Sequence, residues 1–368
     1  MTPARRIAFE VLGAVERGGF AADLLQQRTR SLDSRDAGLV TQIVFGVLRR
    51  REQLDFLIAQ VAGRAPDKMD PSVRRALHMA AFQLRFLTKI PPHAAVGESV
   101  DLVKQAGKAS AAGFVNAVLR KLPELPSEWP SKAVEYNLPD WLWSRWREYY
   151  GAEIAGRIGA ACLEEPQSWL RLASGEAVLE SSLDGPIPEG ARHMDIGSQS
   201  IVPLLKLEPG QRFLDLCAAP GNKTAQALET PIRAVACDTS AARLRAFVVQ
   251  CPRVQLDAGR ILPFGPVFDR ILVDAPCTGT GTLARNPEIR WRLTPEEIRR
   301  QYERQVRILR NALACLKPGG RLVYSTCSLE PEENKDVVHR VASSRVKQVI
   351  ERLPGRDPGD GFFAAVLE

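Results

Sequence analysis

Two cysteines, Cys277 and Cys327, each follow a short run with the composition of a β-strand, in "ILVDAPCTGTG" and "RLVYSTCSLEPEEN". A thiolate is a strong nucleophile, but free cysteine has a pKa near ~8.5, so a reactive site must supply positive charge or hydrogen bonds. Lys223 is a candidate source of that charge. Cys217 lies in a turn and is interpreted as a ligand-binding residue, and the other cysteines as buried packing residues.

A turn of small residues lies in "FLDLCAAPGNKT", between a predicted strand and a helix start. Ala218, Ala219 and Gly221 would let a ligand approach the backbone closely. The turn is not a phosphate-binding P-loop, because Asn222 separates Gly221 from Lys223. The later "GTGTLA" follows a Pro-Cys pair and does not clearly open a helix, so we do not interpret it as a dinucleotide loop.

Aspartates follow the next two predicted strands. Asp238 comes after "AVAC", where an acidic residue can bind both ribose hydroxyls, and Asp257 in "VQLDAG" could meet an adenine amino group. Together with the small-residue turn, these positions favour S-adenosylmethionine as the cofactor. A methyl donor beside two thiols suggests methylation of a pyrimidine at carbon 5. Addition of a thiolate at carbon 6 would make carbon 5 nucleophilic, and loss of its proton would then expel the thiol.

The elements that must position these residues change along the chain. Residues 1–125 show helical periodicity, for example at Leu39, Val40, Ile43, Val44, Val47 and Leu48. Residues 126–190 begin with a proline-rich stretch and are interpreted as a linker and a small connecting subdomain. Residues 191–368 alternate strands with helices, and apolar runs such as 271–273 suit buried parallel strands. We therefore predict an all-α domain, then a mostly parallel, doubly wound α/β domain of the Rossmann-like type.

The charge is unevenly distributed. The net charge is +7, and residues 1–125 hold 19 Lys/Arg against 12 Asp/Glu, whereas the rest of the chain is balanced. This excess suits either a solvated surface or a polyanion partner. Seven cysteines without CxxC pairs favour a reducing compartment, and no apolar run is long enough to span a bilayer. We expect a cytoplasmic monomer with no membrane partner and no metal.

Three motifs, "DLCAAPGNKT", "DAPCTGTGTLARNPEIRW" and "YSTCSLEPEEN", resemble the signatures of the Sun/Nop group of RNA 5-methylcytosine methyltransferases. In the N-terminal third, "PPHAAVGESVDLVKQAG" and "GFVNAVLRKL" are similar to the NusB-like RNA-binding domain. That domain precedes the catalytic part in the bacterial member of the group that acts on small-subunit (16S) ribosomal RNA. The resemblance covers nearly the whole chain.

The resemblance implies a role for each matching residue. Cys327 would be the nucleophile and Cys277 would assist product release, with Asp274 contacting the target cytosine or the methionine end of the cofactor. In DNA cytosine methyltransferases the nucleophile belongs to a Pro-Cys pair, which would exchange the two cysteine roles. Cofactor contacts would come from Cys217, Ala218, Ala219, Pro220, Gly221, Asn222, Lys223, Asp238, Asp257 and Asp274. Candidate RNA contacts are Arg49, Arg50, Arg51, Arg285, Arg290 and Trp291. The alternative is a solvated helical surface for the triplet and a surface helix start for the other three.

Two departures from the family pattern leave alternatives open. Asn222 stands where the family usually has glycine, and we expect it to adopt the positive φ that asparagine tolerates. Several connectors are too short for the usual crossover helices. An RNA-binding or ribosome-assembly factor with a weakly active or inactive methyltransferase domain is one alternative, and a transfer RNA cytosine-5 methyltransferase is another.

Overall fold

The computed structural model describes residues 2–247 and 249–368. The chain divides into two compact units, Met1–Glu164 with Leu283–Trp291 and Glu165–Thr282 with Arg292–Glu368. The boundary at residue 164 falls inside the segment 126–190 that the sequence assigns to a linker and connecting subdomain. Within the described residues, no helix is both long and apolar enough to cross a bilayer.

The first unit is the predicted all-α bundle. Its helices are α1 (Pro3–Glu16), α2 (Ala21–Arg28), α3 (Ser34–Arg49), α4 (Arg51–Ala62), α5 (Pro71–Phe86), α6 (Pro92–Gln105), α7 (Ala112–Arg120), α8 (Lys132–Glu135), α9 (Asp140–Tyr150) and α10 (Ala152–Ala161). Helix α5 begins at Pro71, and the Asp70 side chain accepts a hydrogen bond from the Ser72 N–H at 2.9 Å. This arrangement satisfies one of the amides that a helix start leaves unpaired. The apolar face of α5 is buried in the core of the bundle.

The second unit contains a small antiparallel sheet and a large, mostly parallel one. The small sheet has the order β2–β1–β3, from β1 (Trp169–Arg171), β2 (Ala177–Leu179) and β3 (Arg192–His193). The large sheet consists of β4 (Arg212–Asp215), β5 (Arg233–Asp238), β6 (Arg253–Gln255), β7 (Phe268–Asp274), β8 (Leu316–Thr326), β9 (Val346–Arg352) and β10 (Phe362–Leu367). The later helices of the chain are α11 (Ile196–Gln199), α12 (Asn222–Ala227), α13 (Ala241–Arg245), α14 (Ile289–Arg292), α15 (Pro295–Ala314) and α16 (Lys335–Ala342).

The large sheet confirms the predicted doubly wound architecture. Its strand order is β6–β5–β4–β7–β8–β10–β9, in which β4 to β8 run parallel and β10 is antiparallel to both of its neighbours. Ile271, Leu272 and Val273 of β7 are fully buried, as expected for a central strand covered on both faces. The strand order reverses between β4 and β7, so a crevice is expected at their carboxyl ends.

Arg290 lies in the stretch Leu283–Trp291, which belongs to the first unit. Its side chain is 0% exposed, and its guanidinium donates to the carbonyl oxygens of Asn137 at 3.0 Å and of Cys162 and Leu283 at 3.1 Å each. Burial lowers the pKa of Arg290 to about 10. These contacts correct the prediction that Arg290 binds RNA, because its guanidinium is committed to protein carbonyls and cannot reach a phosphate.

We expect the substitution Arg290→Met to lower the free energy of unfolding by about 3–5 kcal/mol, because it leaves several buried carbonyls without a donor. Urea unfolding measures this loss. The matched control is Arg157→Met, which removes an exposed arginine paired with Glu153 one turn away on α10. That pair should contribute no more than about 0.5 kcal/mol. Equal losses in the two variants would contradict the structural role of Arg290.

Candidate active site

The chemically important residues collect at one edge of the large sheet. Asp215, Asp238 and Asp274 are the last residues of β4, β5 and β7, and Cys327 directly follows β8. Because these strands are parallel, their carboxyl ends meet at the same edge. The topology therefore brings together residues that are far apart in the sequence, at the point where a doubly wound sheet binds ligands.

A cleft of about 290 Å³ opens at this edge. Five of the predicted cofactor residues line it: Cys217, Ala219, Asp238, Asp257 and Asp274. Two arginines that the sequence analysis did not identify, Arg243 and Arg304, line it as well. The cleft is of the size expected for a small-molecule site, and carboxylates from three strand ends suit the hydroxyl and amino groups of a nucleoside.

Asp238 is held by the small-residue turn that the sequence predicts. One carboxylate oxygen accepts from the Ala219 N–H at 3.2 Å and the other from the Ser240 N–H at 2.9 Å. The Ala218 N–H donates to the Cys237 carbonyl at 2.8 Å. These bonds fix the turn against the end of β5. The Asp238 side chain and the backbone of the small-residue turn therefore form one wall of the cleft.

Gly221, rather than Asn222, adopts the left-handed backbone conformation in this turn. Its φ is +112°, and a Cβ atom built there would lie 2.9 Å from the Phe247 ring. Asn222 is instead the first residue of α12 and has ordinary helical geometry. The expectation that Asn222 takes a positive φ is therefore wrong, and asparagine fits because a helix start needs no special φ.

Lys223 projects from α12 toward the end of β7. Its Nζ lies 2.7 Å from Oδ2 of Asp274, whose Oδ1 accepts from the Ser325 hydroxyl at 2.8 Å. Burial by itself lowers the pKa of a lysine, but Asp274 and negative charge at Cys327 raise the pKa of Lys223 above its ordinary value. Lys223 therefore stays charged beside the Asp274 carboxylate.

A second carboxylate, Asp215, lies behind this pair at the end of β4. Burial raises its pKa to about 7, although the Thr224 hydroxyl donates to it at 2.7 Å. The sequence analysis did not identify Asp215 as part of the site. The motif "FLDLCAAPGNKT" contains Asp215, but only the tertiary structure shows that its carboxyl is buried beside the small-residue turn.

Cys277 and Cys327 lie side by side. The Sγ atoms of Cys277 and Cys327 are 3.4 Å apart, although the residues follow different strands. The hydrogen bond with Cys327 and burial together raise the pKa of Cys277 well above its ordinary value. Cys277 therefore keeps its proton, and the two sulfur atoms lie within hydrogen-bond distance of each other. Burial also raises the pKa of Cys217 well above the usual range, so Cys217 is a poor nucleophile.

A buried polar network joins the loops that carry these cysteines. Glu333 accepts hydrogen bonds from the residues that follow them, Thr278 and Ser328, and from Gln305 of α15. The sequence analysis quoted Glu333 inside a motif but gave it no role. A glutamate in a polar segment resembles a surface residue, and only its packing reveals that it is buried.

The remaining candidate RNA contacts are engaged in packing. Arg49, Arg50 and Arg51 each stack on an aromatic ring, at 4.5 to 5.2 Å from its centroid, and the ring under Arg51 is that of Trp291. Burial lowers the pKa of Arg50 and Arg51. Arg285 is half-buried. As RNA contacts, these five residues stay predictions.

We expect Gly221→Ala to weaken binding of S-adenosylmethionine by at least about tenfold, because the added Cβ strains the backbone and displaces Phe247 from the turn. Isothermal titration calorimetry measures the Kd. The matched control is Gly210→Ala, where φ is +83° but no atom lies within 4 Å of the added Cβ. It should lower stability to a similar degree and leave the Kd unchanged. Equal Kd values for wild type and Gly221→Ala would show that this turn does not hold the cofactor.

Family models match both parts of the chain. One described as 16S rRNA methyltransferase RsmB/F matches residues 202–368, and one described as the NusB family matches residues 2–124. Among relatives, the probable ribosomal RNA small subunit methyltransferase B of Synechocystis sp. is 30% identical and covers 100% of both chains. Ribosomal RNA small subunit methyltransferase B of Klebsiella pneumoniae is 31% identical, over 96% of this chain and 95% of the relative.

Solved structures show the same fold. The crystal structure of the protein PH0851 has a TM-score of 0.79 at 20% identity and covers 100% of this chain and 99% of its own. A methyltransferase homolog from Pyrococcus horikoshii has a TM-score of 0.55 at 24% identity, over 65% of this chain and 99% of its own. The relatives that match at 30% identity or more over nearly their whole length show the family as well as the fold. This chain belongs to the 16S rRNA methyltransferase RsmB/F family.

Proposed function

We propose that this protein methylates carbon 5 of a cytosine in small-subunit ribosomal RNA, with S-adenosylmethionine as the methyl donor. The observation that carries the proposal is the pair of thiols 3.4 Å apart beside a cleft lined by carboxylates from successive strand ends. The names of the full-length relatives support ribosomal RNA of the small subunit as the substrate.

The residues of the cleft would hold the cofactor by its polar groups. Asp238 would accept from the ribose hydroxyls and Asp257 from the adenine amino group, with Ala219 and Gly221 allowing close approach of the backbone. When bound, S-adenosylmethionine supplies an electrophilic methyl group. Asp274 is fixed by Lys223 and Ser325, so its carboxylate is oriented before either ligand arrives.

Cys327 would act as the nucleophile. Its thiolate forms a bond to carbon 6 of the cytosine, and the electron pair of the 5,6 double bond becomes available at carbon 5 for the methyl group. The Cys277 sulfur lies 3.4 Å from the Cys327 sulfur, and Cys327 interacts electrostatically with the Lys223 ammonium. Both groups are therefore placed to stabilise the negative sulfur that the reaction requires. The second cysteine, in the "STCS" motif that resembles the RNA enzymes, argues against the exchanged roles of the DNA enzymes.

Product release returns Cys327 to its starting state. Transfer of the carbon-5 proton to a solvent water molecule leaves its electron pair to re-form the 5,6 double bond, and the sulfur–carbon bond breaks so that the thiolate leaves. The Cys277 thiol is already within hydrogen-bond reach of the leaving sulfur and would stabilise it. This position accounts for the release role that the family resemblance implies.

The basic first unit would bind neighbouring phosphates. Its excess charge lies in residues 1–125. The exposed arginines there include Arg6, Arg17, Arg28, Arg30 and Arg35, all on or near α1 to α3. Because they reach solvent, these side chains suit phosphate contacts better than the packed Arg49–Arg51 triplet does.

The test of the reaction is nucleoside mass spectrometry on unmethylated small-subunit ribosomal RNA, incubated with S-adenosylmethionine and each variant. Wild type should produce 5-methylcytosine, and Cys327→Ala should lose the activity by at least about 1,000-fold because no adduct forms. Cys277→Ala should accumulate a covalent RNA–protein adduct, visible as a band of lower mobility in a denaturing gel.

Three outcomes would count against this assignment. Undiminished activity in Cys327→Ala would exclude it as the nucleophile, and an adduct in Cys327→Ala but not in Cys277→Ala would exchange the two roles. Methylation of transfer RNA but not ribosomal RNA would change the substrate. Cofactor binding without any methyl transfer by the wild type would favour an RNA-binding assembly factor.

For RNA binding, we expect Arg30→Glu with Arg35→Glu to weaken affinity for ribosomal RNA and to reduce the salt dependence. Each lost phosphate contact should lower the slope of log K against log[salt] by about 0.7–0.9. Filter binding at several salt concentrations measures both quantities. Arg157→Glu is the control, because it reverses an exposed arginine of the same unit outside residues 1–125. An identical loss in this control would indicate a general charge effect.

A further inference from the structure

Glu333 is a buried carboxylate with donors from three different elements. It ends the turn Pro331–Glu333 and is 0% exposed. Oε1 accepts from the Thr278 N–H at 2.9 Å and from the Gln305 amide at 3.0 Å. Oε2 accepts from the hydroxyls of Thr278 and Ser328. Four hydrogen bonds therefore converge on one side chain.

These bonds lie next to both reactive thiols. Thr278 follows Cys277 and Ser328 follows Cys327, so the carboxylate joins the two cysteine loops one residue away from each thiol. Gln305 also donates to the Pro276 carbonyl at 2.9 Å, which ties the Cys277 loop to α15. The two loops are also joined directly, because the Gly281 N–H donates to the Cys327 carbonyl at 2.9 Å and the Leu329 N–H to the Thr280 hydroxyl at 2.8 Å. Glu333 adds the bonds that hold Thr278 and Ser328, the residues next to the two cysteines.

The stability of the fold does not by itself explain why a carboxylate is buried at Glu333. Removing a carboxylate from water is costly, and burial raises the pKa of Glu333 to about 7 in spite of its four donors. Well-packed apolar residues are often as stabilising as buried charged groups, or more so. A directional polar network has an advantage over apolar packing where the two cysteine loops must be held at a fixed distance from each other.

We propose that Glu333 is a positioning residue that sets the distance between the Cys277 and Cys327 thiols. The contact of 3.4 Å between the Sγ atoms depends on two loops that follow different strands. Glu333 joins these loops through three hydrogen bonds and is itself held to α15 by a fourth, from Gln305. Its consequence for catalysis rests on the proposed function, but the positioning itself does not.

The test measures the geometry of the thiol pair directly. Diamide, a thiol oxidant, is added to the full-length protein, and peptide mass spectrometry follows the rate at which Cys277 becomes linked to Cys327. Glu333→Ala should slow this linkage by at least about tenfold. Without Glu333 the two loops are held less firmly, so the effective concentration of one thiol at the other falls. The kcat for methyl transfer should fall on the order of 100-fold, with the Kd for S-adenosylmethionine unchanged.

A conservative variant and a control separate positioning from folding. Glu333→Gln keeps one carbonyl oxygen for the Thr278 and Gln305 donors, so it should restore most of the linkage rate. Gln199→Ala removes buried hydrogen bonds to the Leu170 and Met194 carbonyls in the same unit. It should lower the Tm without slowing the linkage. If Glu333→Ala does not fold, Ser328→Ala, which removes one donor, should slow the linkage by a smaller factor.

The outcomes distinguish this inference from the proposed function. A wild-type linkage rate in folded Glu333→Ala, or in Ser328→Ala when Glu333→Ala does not fold, would overturn the positioning role. Slowing by Gln199→Ala to the same degree would also overturn it, because loss of stability would then explain the effect. If the linkage rates follow the expectation but wild type methylates no ribosomal RNA, the positioning role stands and the proposed function fails.

Discussion

The parallel register of β4, β5, β7 and β8 determines where chemistry can occur in this protein. Parallel strands end at the same edge, and the reversal of order between β4 and β7 opens that edge into a cleft. The aspartates at three strand ends and the cysteine after β8 are therefore neighbours only because the hydrogen-bond ladders align the strands. Any slip of register would separate them, so the backbone pairing of the sheet is a requirement of the site.

The site also shows how burial and charge are balanced. Lys223 stays charged because Asp274 faces it, whereas the pKa values of Asp215 and Glu333 are each raised to about 7 by burial. The thiol of Cys277 is held in its protonated form by burial and by its contact with Cys327. Burial and local charge thus shift the pKa values of several groups in one small region, as is common where side chains are arranged for chemistry.

Charge in the sequence and charge on the surface are different quantities in this chain. Arg290 follows the Cys277 motif and suggests an RNA contact, yet it is enclosed by backbone carbonyls. The Arg49–Arg51 triplet is similarly packed on aromatic rings. Arginine serves both purposes well, because its planar group can bridge several acceptors or stack on a ring. Local composition alone cannot distinguish these uses from phosphate binding.

The sequence by itself determined the class of each part and singled out the cysteines that we propose to react. Helical periodicity, buried strand runs and the two cysteine motifs depend on local order along the chain, and the structure has the helices, the sheet and the thiol pair that they predict. Only the tertiary structure decided that Gly221 takes the positive φ, that Arg290 is buried and that Glu333 joins the cysteine loops. Each of these features depends on contacts between residues distant in the sequence, and a local pattern carries no information about which distant groups will surround a side chain.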